Sequence, residues 1–119
     1  MSFEVILKDL VESVPKATGA IVVDWEGEGV MEHCLSDDPY NIRFIGAHKG
    51  LILARLKEMK INEQLGTVEE MIITATEMHL ITGCINKDYF LVMNLQRSAP
   101  LALALYHFRR AISELKKEF

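Results

Sequence analysis

The chain has 119 residues, of which 50% are hydrophobic and 25% charged, and carries a formal net charge of -4. That length suits one domain, 1–119, around one core, and the acidic balance argues against nucleic acid or an anionic membrane surface as partner, since both call for a basic face. Two cysteines cannot build the disulfide framework of a small secreted domain, the N-terminus lacks a signal peptide's basic and apolar regions, and no run reaches the roughly 18 apolar residues of a membrane span. A cytoplasmic, untethered protein is expected.

Phe3, Ile6, Leu7, Leu10 and Val14 recur at helical spacing after Ser2, a good N-cap residue, and Pro15 stops the run, which predicts a short amphipathic helix. Gly19 then opens a compact apolar strand, Ala20 to Val23. The segment from Asp24 to Gly29 has the turn chemistry to reverse the chain into a more polar strand, Val30 to Leu35, nearer a sheet edge.

Asp37-Asp38-Pro39 is a helix start signal, and a long helix is expected to run from Tyr40 to about Lys60. Three β-type segments follow between Val68 and Leu95. Met71, Ile73 and Ala75 alternate, Asn86-Lys87-Asp88 marks a tight turn, and Tyr89 to Leu95 is apolar on nearly every residue, the pattern of a strand covered on both faces. Ser98-Ala99-Pro100 introduces a last helix with a stripe of Leu101, Leu105, Phe108, Ile112 and Leu115, and Lys116 and Lys117 suit the negative end of its dipole.

The expected order is therefore αββαβββα, an α+β sandwich in which Ala20 to Val23 and Tyr89 to Leu95 are inner strands. The long helix carries two stripes. Ile42, Ile45, Ile52, Leu56 and Met59 form the arc that meets the sheet, while Gly46, Ala47, Gly50 and Ala54, flanked by Phe44 and Leu51, form a second one of small residues. Glycine inside a helix costs up to about 1 kcal/mol relative to alanine, so two on one stripe call for a reason. Close approach of a twin helix in a homodimer is the reading adopted for these six residues; the alternatives are a crossing by another helix of the same chain, or glycines that are merely tolerated.

Neither a phosphate-binding P-loop nor a dinucleotide fingerprint occurs, and His33, Cys34, His48, His79, Cys84 and His107 show none of the paired spacings of a zinc site. No catalytic residue, metal or cofactor is expected. His33 and Cys34, adjacent on a strand, point to opposite faces, and the thiols read as inert packing groups. Glu69 and Glu70, at a strand start, read as a solvated rim rather than a proton-sharing pair. An arginine could be lent to a partner's active site, where guanidinium stabilises charge developing on phosphate. Nothing in the spacing of Arg43, Arg55, Arg97, Arg109 and Arg110 separates that role from a solvated side chain, and Arg43, Arg55 and Lys57 on the long helix stand as candidate partner contacts.

The stretch Gly19-Ala20-Ile21-Val22-Val23-Asp24 with the glycines after it, Glu70-Met71-Ile72-Ile73-Thr74, and Asp88-Tyr89-Phe90-Leu91-Val92-Met93-Asn94-Leu95 leading into the last helix resemble the Roadblock family. That family is shared by dynein light chains of the same name and by bacterial and archaeal regulators of Ras-like GTPases. The resemblance covers nearly the whole chain. It implies a five-stranded antiparallel sheet between one long helix and two terminal helices, and homodimers formed through the second helix and third strand. It also implies a non-catalytic platform for a small Ras-like GTPase, able in the gliding-motility polarity system to accelerate GTP hydrolysis by its partner. Trp25 departs from the family pattern before the turn glycine. Two other readings stay open: a nucleotide-independent structural adaptor, and a small-ligand sensor with a cavity of roughly 300 Å³ or more.

Overall fold

The computed structural model describes residues 2–24, 28–34 and 64–119. Helix α1 (Phe3–Ser13) begins where the side chain of Ser2 accepts a hydrogen bond from the Val5 amide at 3.4 Å, and it buries Ile6, Leu7, Leu10 and Val11. Pro15 and Lys16 then turn the chain. Lys16 takes φ 67°, its carbonyl accepts from Gln96 N at 3.0 Å, and its Nζ donates to Ser98 Oγ at 2.8 Å. The turn is thus tied to the end of the last strand and the loop that follows it, which holds a non-glycine residue in the left-handed region.

The strands are β1 (Ala17–Asp24), β2 (Gly29–Cys34), β3 (Glu70–Thr74), β4 (Met78–Cys84) and β5 (Tyr89–Gln96), followed by α2 (Leu101–Glu118). They form one sheet in the order β2-β1-β5-β4-β3, every pair antiparallel. The two most apolar strands are inner ones, as their lack of alternation requires, and the more polar β2 is an edge. The tight turn before β5 is an Asx turn, in which Asn86 Oδ1 accepts from the amides of Asp88 (2.7 Å) and Tyr89 (2.9 Å).

One face of the sheet carries Ala20, Val22, Ile81, Leu91, Met93 and Leu95, which join the buried residues of α1 and α2 in a single apolar cluster. The opposite face carries Ile21, Val23, Phe90 and Val92, also buried. That second face holds more polar groups. Thr82 and Asn94 are buried on it, and among the described residues Thr82 Oγ1 and Asn94 Oδ1 find no hydrogen-bond partner.

Several expectations shift. Strand β1 starts at Ala17 rather than Gly19, because Ala17 pairs with Leu95 across a register irregularity that brings Gly19 opposite Asn94. Ala75 falls outside β3 and turns back to Met78, its amide donating to that carbonyl at 2.8 Å. In α2 the innermost line is Ala104, Phe108, Ala111 and Leu115, with Leu101, Leu105 and Ile112 only partly buried at its flank. Small residues allow a close neighbour, and Ala111 borders the groove where α2 meets α1. The long helix expected over 40–60 lies outside the described residues. Gln64 and Leu65 are helical, and Gly66 follows with φ 85°, the left-handed geometry in which helices commonly end.

Candidate interaction surface

Strand β3 ends the sheet opposite β2 and pairs, among the described residues, with β4 alone. Its sequence, EMIIT, suits a strand because alternate apolar side chains feed one face, and β-branched residues pack well on a pleated surface. The Cys84 amide donates to Glu69 O and the Ala75 amide to Met78 O, so within this register Met71 and Ile73 aim their backbone groups at β4. Antiparallel pairing alternates, which leaves the amides and carbonyls of Glu70, Ile72 and Thr74 directed outward from the edge. Ile72 is 40% exposed there.

Natural sheets blunt such an edge with Lys, Pro, bulges or inward charges. The other edge shows these devices: β2 carries Glu32 and His33, and the register breaks between Val22 and Val23 beside Gly29. Strand β3 has no Lys, Pro or bulge. Its one charge, Glu70, is held from the side by Arg109 of α2, whose Nε donates to Oε2 at 3.2 Å and Nη2 to Oε1 at 2.5 Å. The hydrogen bonds to Glu70, and then its charge, raise the Arg109 pKa further above the ordinary arginine value. The carboxylate read as a solvated rim is therefore 29% exposed and clamped by a 61% exposed guanidinium.

The far end of β3 is pinned as well. Thr74 Oγ1 and His79 Nδ1 lie 2.8 Å apart, and His79 Nε2 is 3.0 Å from Arg97 O. A carbonyl only accepts, so Nε2 carries the proton, Nδ1 is the acceptor, and the Thr74 hydroxyl donates to it. The backbone adds Arg97 N to Glu77 O at 3.2 Å. Both ends of the edge strand are thus fixed to α2 or to the loop that precedes it.

Beside Glu70 and Arg109 a groove of about 520 Å³ opens between the β3–β4 end and α2, with Gly83, Ile85 and Phe108 in its wall and Lys87 and Lys116 at its rim. The volume exceeds what the ligand-sensor reading asks. The groove is nonetheless open at the surface, and two of its charged groups are already turned on each other.

The residues expected to form the dimer contact, Phe44, Gly46, Ala47, Gly50, Leu51 and Ala54, lie outside the described residues, as do Arg43, Arg55, Lys57, His48 and Trp25. Of the remaining arginines, Arg97 offers its carbonyl to His79 and Arg110 lines the α1–α2 groove. Cys34 and Cys84 are half-buried on the same sheet face but separated by β1 and β5, and His33 faces the other way from Cys34. Among the described residues no three His, Cys, Asp or Glu cluster to hold a metal, and no helix is long and apolar enough to cross a membrane. The Glu70–Arg109 clamp escaped sequence reasoning because 39 positions separate its partners.

No protein-family model and no curated protein matches the sequence. Solved structures do match in architecture. The Roadblock/LC7 domain from Streptomyces avermitilis superposes with a TM-score of 0.82 at 16% identity, over 97% of this chain and 95% of that one. The gliding protein MglB from Thermus thermophilus gives 0.82 at 17%, over 94% and 84% of the two chains. MglB with a tetrameric arrangement gives 0.82 at 18%, over 94% and 83%. The chain thus has the Roadblock fold, and the resemblance carried by its three sequence segments holds for the five-stranded antiparallel sheet and the two terminal helices.

Proposed function

We propose that this protein is a homodimeric binding module, without a catalytic site of its own, that recognises a small Ras-like GTPase and stimulates its GTP hydrolysis. The observation that carries the reading is the apolar outer edge of β3, unpaired among the described residues, within a sheet of Roadblock architecture. An edge of this kind is a template for another strand, and a second copy offers the matching one. Laid two-fold about Ile72, β3 pairs Ile72 with its own image and Glu70 with Thr74 of the second copy, so no like charges oppose. A register slipped toward the N-terminus would set Glu70 against itself. The blunted β2 edge cannot extend the assembly in the same way, so pairing stops at two copies. The small-residue stripe of residues 46–54 would add a helix contact to the strand contact, and a stable interface would bury about 1,600 Å².

The paired sheets then form a platform that a single copy lacks, and the switch loops of a GTPase, ordered differently with GTP and GDP, are the feature it would discriminate. On this reading the protein works in the cytoplasm, needs no metal or cofactor, and targets neither nucleic acid nor membrane. The test is to load Ras-like GTPases with GTP or GDP and measure binding and turnover with and without the protein. Preference for the GTP state with faster hydrolysis is the expected result; no association in either state overturns the reading. Binding that ignores the nucleotide would instead identify a structural adaptor built on the same edge.

A further inference from the structure

We propose that Arg109 makes the β3 edge available to a second copy of this chain by neutralising Glu70, so that self-association depends on an ion pair contributed by the last helix. This rests on the reading of the protein as a homodimer. The outward backbone groups of β3 belong to Glu70, Ile72 and Thr74, so an arriving strand must pass directly beside the Glu70 side chain. A carboxylate at a sheet edge ordinarily repels strand addition, because covering it strips its water without supplying a partner. In the two-fold register its cross-strand neighbour is Thr74 of the second copy, which brings no positive charge.

Arg109 changes that balance from within the same chain. Its planar fork engages both carboxylate oxygens, and it approaches from α2 on the sheet face shared by Glu70, Ile72 and Thr74, leaving the edge clear. Exposed ion pairs add little to the stability of a fold, so the clamp is a poor stabilising device for the monomer. Its effect grows where an approaching strand removes water, because a charge left without its partner on desolvation is penalised far more than an exposed one. The geometry also favours arginine over lysine, since only a guanidinium holds both oxygens at once.

The test is sedimentation velocity of the full chain over a dilution series, for the wild type, Arg109→Ala, Arg109→Lys, Glu70→Gln and the double variant Arg109→Ala with Glu70→Gln, with a thermal melt of each to verify folding. Arg109→Ala should weaken self-association about tenfold, whereas Arg109→Lys should keep part of it. In the Glu70→Gln background, where no carboxylate remains to neutralise, Arg109→Ala should have no further effect. Equal weakening in both backgrounds, or none in either, overturns the proposal while leaving the homodimer standing. A wild type that stays monomeric at micromolar concentration removes the homodimer reading and this proposal together.

Discussion

The ring of Phe108 rests on the bare α-carbon of Gly83: a Cβ at that position would stand 2.8 Å from Cε1 and 3.2 Å from Cζ. Phe108 is fully buried, so its ring has little room to withdraw. Gly83→Ala should therefore lower unfolding stability by about 1–3 kcal/mol in chemical denaturation. Pairing it with Phe108→Leu should recover part of the loss relative to the sum of the two single changes, since the smaller side chain vacates the contested space.

Ile72 stands half-exposed at the centre of the open edge. Ile72→Lys places there the residue that natural edges use to repel strand addition, and the aliphatic stem of lysine keeps part of the apolar cover that the isoleucine makes. For the proposed homodimer, light scattering should show the mass falling to that of a monomer, with at most a modest drop in melting temperature. Val30→Lys on the opposite edge, a comparably exposed position, should leave the mass unchanged.

Thr82 is buried in the middle of β4 with a hydroxyl that finds no partner among the described residues. Thr82→Val keeps the shape and removes the stranded polar group. Stability should rise by about 1 kcal/mol in urea denaturation, and a loss of similar size would show that the hydroxyl is satisfied in solution.

Thr74→Val makes the reverse kind of change. It strands Nδ1 of the buried His79, which now accepts from the Thr74 hydroxyl, and so should cost about 1–2 kcal/mol. Because Thr74 ends the edge strand, amide hydrogen exchange should quicken first over β3 rather than throughout the sheet.

Much of the architecture was legible from the chain because it is written in local pattern. Ser2 before an apolar stripe marked the first cap, Asn86 marked the turn into β5, and the nearly continuous apolar run of Tyr89 to Leu95 marked an inner strand. What escaped depends on distant partners. The start of β1 is set by pairing with Leu95, the innermost line of α2 by the neighbouring helix, and the clamp on Glu70 by a residue 39 positions away. No periodicity encodes such relations. For the candidate surface, pattern identified β3 as a strand, but only the sheet order placed it at the edge among the described residues, and the six residues expected to pair helix with helix lie outside the described part.

Phe119 lies between two other rings, its centroid 4.7 Å from that of Phe3 and 4.4 Å from that of Tyr89. The polypeptide therefore returns at residue 119 to the place it occupied at residue 3. A short glycine-serine bridge joining these positions, with a new opening cut in the Asn86–Asp88 turn, should yield a circular permutant that still builds the same five-stranded sheet. Such rewiring would leave the β3 margin untouched, offering a way to move reporters around the molecule without disturbing its proposed meeting place.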